Sequence, residues 1–188
     1  MGGPVWLRSP RSQALIRSEH NVSWGLEATD GVILVDHGSR VAESNDALLV
    51  VHRTFQATLQ HAIVEPAHME LAEPSIATAV ERCVKQGARR IIVVPFFLLP
   101  GRHWRKDIPQ LTEEACARFG DLPYLVTAPL GNSQGVVDVL ISRMSTCLRA
   151  NATGEEGCDV CRPGPACWQR SAAGQVLAKD EIRRTDQT

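Results

Sequence analysis

The sequence lacks the features that would place it in several common functional classes. Aromatic residues make up 5% of its 188 positions, too few for the stacking platforms that hold single-stranded nucleic acid. The formal charge is −1, so the chain as a whole has no basic footprint for a polyanion. No apolar run approaches the roughly 20 residues needed to span a bilayer. Six cysteines in a chain of this length are too few for a disulfide scaffold. Hydrophobic content of 44% argues against general disorder, and the length suffices for one domain with a real core. Neither nucleic acid nor membrane is expected as a partner.

What is present is a strand–loop–helix unit, used repeatedly. Val32-Ile33-Leu34-Val35 predicts a buried strand, followed by a turn carrying Asp36, His37, Gly38 and Ser39. Leu48, Val51, Phe55 and Leu59 mark the next helix, with His52 and His61 beside the stripe as solvated residues. A second strand runs from Ala62 to Met69 and ends at Glu70. Glu73-Pro74 opens a second helix with Pro74 at its first position. Ile76, Ala79, Val80, Cys83 and Val84 form its apolar face, and Gly87 ends it. Cys83 is therefore assigned to the core. Arg90–Val94 is a β-branched run expected to be buried on both faces, as in a parallel sheet. Ile108, Leu111, Ala115 and Phe119 mark a third helix, with Cys116 beside its face. Residues 122–128 suggest a fourth strand. A last helix from Asn132 to about Ala150 is expected to bury Val137, Leu140, Ile141, Met144 and Leu148. The alternation predicts a small doubly wound α/β lobe of four βα units with a parallel sheet.

Chemistry-bearing residues fall at the carboxyl ends of the strands, where open α/β sheets bind ligands. His37 follows the first strand, Glu70 the second and His103 the third. Two imidazoles and a carboxylate suit a borderline divalent metal such as Fe²⁺, Co²⁺ or Zn²⁺, and neutral histidine also accepts a proton near pH 7. From the residues alone this is a metal site or a general base, with the reaction open. The segment after the third strand is unusual for a loop: Phe96-Phe97-Leu98-Leu99 is apolar, and Arg102-His103-Trp104-Arg105-Lys106 is basic and aromatic. Either it covers a large flat apolar ligand with a charged rim, or Phe96–Leu99 extend the strand into the core.

The blocks LVDHGSRVAESN, MELAEPS and GARRIIVVPFFLLPGRHWRKDIP, in that order between Gly31 and Gly131, resemble the sirohydrochlorin chelatases of the CbiX/SirB type. These belong to the class II chelatase fold, which includes ferrochelatase. The resemblance implies insertion of a divalent metal into the tetrapyrrole sirohydrochlorin without ATP, on the route to sirohaem. It implies that His37 and His103 hold the incoming metal and take up protons, with Glu70 as third ligand or proton acceptor. Glu73 is the competing carboxylate, and helix capping is its alternative role. Arg40, Arg102, Arg105 and Lys106 are candidates for the carboxylate rim. Phe96, Phe97, Leu98 and Leu99 could pack on the ring and strain it. Asn45 either orients the His37 loop or merely starts a helix. Class II chelatases usually have two lobes, and this chain resembles the one-lobed short form, so a homodimer is expected to rebuild the cleft.

Beyond Ala150 the composition changes. Residues 154–157 form a linker, and Cys158-x2-Cys161-x5-Cys167 supplies three thiolates within ten residues. A zinc site or an iron–sulfur cluster needs four; Cys147 is the natural fourth, with a plain core role as its alternative. The pattern resembles plant and algal sirohydrochlorin ferrochelatases, whose C-terminal cysteines hold a 2Fe–2S cluster. That likeness implies iron as the inserted metal and a chloroplast location. Cobalt insertion and a non-catalytic tetrapyrrole or metal carrier are the alternatives, and the presence of His37, Glu70 and His103 together speaks against the carrier. The expected organisation is an N-terminal segment 1–30, a chelatase domain 31–150, a cysteine-rich extension 151–170 and a disordered tail 171–188. Between Arg8 and Ser18 there are three arginines, three serines and no acid, a bias found in organellar transit segments.

Overall fold

The structure is a computed structural model that describes residues 25–59 and 62–153. Four strands form one sheet in the order β2-β1-β3-β4: β1 is Asp30–Asp36, β2 Ile63–His68, β3 Arg90–Pro95 and β4 Tyr124–Val126. Helix α1 spans Ala42–Leu59, α2 Ile76–Lys85, α3 Ile108–Ala117 and α4 Gln134–Thr153, and a π-helical turn, His103–Asp107, leads into α3. The expected α/β alternation and parallel sheet are present. The described residues form two compact units: those up to Val93 with Leu111–Leu125, and Val94–Gln110 with those from Val126 to residue 153.

The first unit holds the core. β1 and β2 pair in parallel, with Val32 opposite Val64 and Asp36 opposite His68. Val32, Ile33, Leu34, Val35, Ile91, Ile92 and Val93 are all buried, the pattern of strands covered on both faces. Helix α2 presents Ile76, Ala79, Val80 and Cys83 to this core. It approaches β1 closely because position 31 is glycine: a Cβ there would come within 2.8 Å of the Cys83 Cβ. Burial pushes the Cys83 thiol up to about 12 and the Cys116 thiol up to about 11, so both remain protonated packing groups. At the start of β1, next to Gly31, the fully buried Asp30 carboxylate takes two hydrogen bonds from Arg90, from Nε at 2.8 Å and from Nη2 at 2.6 Å. The Arg90 guanidinium holds the Asp30 carboxyl below the usual carboxylate range, against the opposing cost of burial.

Several local readings are corrected. Pro74 is not the first helical residue: Ser75 is the N-cap, its Oγ accepting from the Thr78 amide. His52 is not simply solvated, since its Nε2 lies 3.0 Å from the Val64 carbonyl oxygen. A carbonyl only accepts, so that ring nitrogen carries the proton. The covered face of α3 is Ile108, Thr112, Ala115 and Cys116, whereas Phe119 falls beyond the helix and is exposed. β4 has only three residues, with Tyr124 and Leu125 exposed.

In the second unit, the Phe97 and Leu98 carbonyls accept from the Leu130 and Gly131 amides at 2.9 and 2.8 Å. β3 ends at Pro95, and Phe96, Leu98 and Leu99 are exposed. The core-extension alternative for Phe96–Leu99 is thereby removed. The expected buried face of α4 is also not buried: Val137, Leu140, Ile141, Met144 and Leu148 are 41–63% exposed. Their spacing is that of a helical stripe.

Candidate functional site

Two titratable pairs stand beyond the strands, one in each unit. The first grows from the end of β1. Asp36 accepts the Gly38 amide on Oδ1 at 3.0 Å and so folds the chain into a tight turn. Gly38 has φ of +83°, and a Cβ at that position would overlap the Glu70 carbonyl oxygen. Glycine is therefore required by both backbone conformation and space. The close approach lets the segment after β2 continue the pairing past the strand ends. The Met69 amide donates to the Asp36 carbonyl at 2.9 Å, and the Glu70 amide to the His37 carbonyl at 3.1 Å. The two side chains then meet, with His37 Nε2 3.0 Å from Glu70 Oε1. Both are roughly half-exposed and open to solvent.

The protonation pattern of this pair is informative. His37 Nδ1 lies 3.1 Å from the Gly38 carbonyl, an acceptor only, so Nδ1 bears hydrogen. In a neutral ring, Nε2 is then a lone pair facing a carboxylate. The arrangement is favourable when a cation sits between them, either a proton or a metal ion. Two donors at about 2.1 Å from one ion and roughly at right angles are about 3 Å apart, the separation seen here.

The turn is clamped from α1. Asn45 accepts from the Ser39 amide and donates to the Ser39 carbonyl, both at 2.9 Å, so of its two expected roles Asn45 fills the orienting one. Glu73 is committed elsewhere: its carboxylate accepts from the Ser75 amide at 2.7 Å and the Thr78 hydroxyl at 2.9 Å. These bonds hold its carboxyl below the usual range. Glu73 caps α2, and Glu70 is the carboxylate beside His37. Sequence reasoning missed His68. It is 2% exposed, with Nδ1 2.6 Å from Asp36 Oδ1. No sequence signal marked it out, since a histidine at the last position of a strand reads as an ordinary strand residue.

The second pair is local. His103 opens the π-helical turn, whose closing bond runs from the Ile108 amide to the His103 carbonyl. Its Nδ1 lies 2.8 Å from Asp107 Oδ2. A carboxylate on Nδ1 fixes the tautomer and makes Nε2 the basic nitrogen, as in carboxylate–histidine–metal arrangements. π-Turns recur at functional sites. Arg102 Nε stands 3.7 Å from the other Asp107 oxygen and is otherwise solvent-facing. Trp104 Nε1 donates to the Thr127 carbonyl at 2.8 Å, and the Phe97 ring centroid is 6.4 Å from that of His103. Asp107, like His68, was not singled out from sequence, although its spacing four residues after a histidine in a helix was a legible signal.

Arg40, Arg105 and Lys106 are exposed. Cys147 is half-buried on α4, while Cys158, Cys161 and Cys167 lie outside the described residues, as does the N-terminal segment up to residue 24. Among the described residues no three His, Cys, Asp or Glu side chains form a ready metal cluster, and no helix is long and apolar enough to cross a membrane.

Comparison with known proteins finds relatives of one kind. Over 150 residues the chain is 48% identical to the chloroplastic sirohydrochlorin ferrochelatase of Arabidopsis thaliana, covering 80% of this chain and 67% of that one. The crystal structure of a putative cobalamin-biosynthesis CbiX protein from Marinobacter aquaeolei superposes with a TM-score of 0.57 at 31% identity, covering 64% of this chain and 98% of that one. The sirohydrochlorin chelatase SirB from Bacillus subtilis, solved with cobalt and with Fe³⁺, superposes with a TM-score of 0.59 in both cases, at 33% and 32% identity. Those matches cover 62% of this chain and only 50% and 46% of SirB. The CbiX family model matches residues 31–147. That match runs from the second residue of β1 through β4 into α4 and takes in both histidine pairs, and by it the chain belongs to the CbiX family.

Proposed function

We propose that the protein is a sirohydrochlorin ferrochelatase, inserting Fe²⁺ into sirohydrochlorin to give sirohaem with release of two protons. The observation that carries this reading is the His37–Glu70 pair, a nitrogen and an oxygen donor 3.0 Å apart beside a glycine turn. The Arabidopsis relative bears this activity by name, and SirB has been solved with Fe³⁺.

The chemistry follows from the two pairs. Insertion removes two pyrrole N–H protons as the ion enters. His37 Nε2 and Glu70 Oε1 are the first donors offered to the ion. Once the macrocycle nitrogens replace them, the same lone pair takes a proton, and the carboxylate beside it stabilises the imidazolium. His103 accepts the second proton at Nε2, with Asp107 stabilising that charge through Nδ1–H. Phe96, Phe97, Leu98 and Leu99 pack against the macrocycle, and Arg40, Arg102, Arg105 and Lys106 meet its carboxylates. Imidazole and carboxylate accept Co²⁺ as readily as Fe²⁺, and SirB has also been solved with cobalt, so the metal is decided by assay.

Three finer points belong to the same reading. Cys147, Cys158, Cys161 and Cys167 form a four-thiolate set suited to a 2Fe–2S cluster, which would supply one-electron chemistry; no insertion step passes through it. Anaerobically purified protein is expected to hold about two iron and two labile sulfide per chain, and absence of sulfide would remove the cluster. The exposed stripe on α4 supports a homodimer formed through that helix; light scattering should give twice the chain mass, and Leu140→Glu the chain mass itself. The chloroplastic relative supports a plastid location, checked by imaging a fluorescent fusion of the whole precursor.

The experiment that tests the function is an anaerobic absorbance time course with sirohydrochlorin and Fe²⁺, then Co²⁺. Insertion far above the protein-free rate, faster with iron, is expected. Pigment binding without insertion would make the protein a tetrapyrrole carrier, and a clear preference for cobalt would make it a cobaltochelatase.

A further inference from the structure

The His37–Glu70 pair is exposed, yet its geometry is set by groups that are not. His68 lies at the last position of β2, paired in register with Asp36 at the last position of β1. Its ring is 2% exposed. A buried imidazole must satisfy its polar atoms, and Nδ1 does so on Asp36 Oδ1 at 2.6 Å. The carboxylate can only accept, so Nδ1 is the donor. The same Asp36 oxygen accepts the Gly38 amide at 3.0 Å, joining the buried ring to the turn that aims His37. The His68 backbone is fixed independently, its amide donating to the Pro74 carbonyl at 2.7 Å. Two residues on is Glu70. His68 therefore touches both halves of the pair without belonging to it: through Asp36 and Gly38 it holds His37, and through the strand end it holds Glu70.

We infer that His68 is a positioning residue for metal insertion, acting through the Nδ1–Asp36 hydrogen bond to hold His37 against Glu70. This rests on the proposed reading of His37 and Glu70 as the working pair. An ordinary packing role would need only a ring of this size. The bond to Asp36 adds a directional requirement: a donor at the Nδ1 position. Asparagine and glutamine separate the two, because an asparagine amide nitrogen falls near the Nδ1 position of a histidine, and a glutamine amide nitrogen near Nε2.

The test compares wild type, His68→Asn, His68→Gln and His37→Ala as full-length protein, measuring kcat and KM for Fe²⁺ insertion, with thermal unfolding recorded alongside. His68→Asn is expected to keep kcat within about threefold of wild type. His68→Gln is expected to lose at least tenfold in kcat, with KM for sirohydrochlorin changed by less than twofold. The thermal midpoints of the two amide variants should be similar, which removes folding as the explanation. Equal kcat for the asparagine and glutamine variants, whether both high or both low, overturns the inference while leaving the functional reading intact, provided His37→Ala is inactive. A His37→Ala variant that inserts iron at the wild-type rate overturns the reading and the inference with it.

Discussion

The two histidine loops reach similar chemistry by different routes. His37 is paired with a carboxylate from a neighbouring strand's end, 33 positions along the chain, and depends on Gly38, Asp36, His68 and Asn45. His103 is paired with Asp107 one turn further along its own helix. The first pair is a product of the fold, and the second of local sequence. Tertiary positioning joins the first pair's geometry to the stability of its unit, whereas the second can be altered with little effect on folding.

The largest expected effect comes from breaking the first arrangement at its tightest point. Gly38→Ala forces a side chain into a left-handed backbone and onto the Glu70 carbonyl. It should cost about 3 kcal/mol of stability, visible as a fall in the urea midpoint, and should reduce insertion by at least tenfold. Asp107→Ala should instead reduce kcat by about tenfold or more with the urea midpoint almost unchanged. Equal losses of stability in the two variants would break the comparison. Asn45→Ala removes both bonds to Ser39 and should cost about 1–2 kcal/mol, again measured by urea unfolding. The smallest effect concerns the far end of β1. The Asp30 carboxyl is held below its ordinary value by Arg90, so the stabilisation it gives is complete above about pH 4. It is lost as pH falls through the lower folded value. Thermal scans on descending pH should show this fall in wild type and a flatter profile in Asp30→Asn.

The sequence was most legible where one local rule decided the outcome. The β-branched runs of β1 and β3 predicted buried parallel strands because few residues suit a strand covered on both sides. His37, Glu70 and His103 were singled out because each sits beyond an apolar run, and Glu73 was separated from Glu70 only by the hydrogen bonds that cap α2. What escaped was what depends on packing across elements. His68 looked like part of a strand, since nothing in PAHMEL shows that its ring turns inward toward Asp36. The periodicity of α4 was read correctly as a stripe, but periodicity gives a face and not its cover: Leu140, Met144 and Leu148 remain exposed in the single chain. Phe119 fitted the helical repeat, yet α3 stops at Ala117.

The measurement that bears most directly on the central claim is a double-mutant cycle on Fe²⁺ insertion with His37→Ala, Glu70→Ala and the combined variant. If the two side chains work as one unit, His37→Ala should lose about 100-fold or more. The combined variant should then be no slower than the slower single variant. Losses that multiply would show two groups acting independently and would contradict the account of a single working pair.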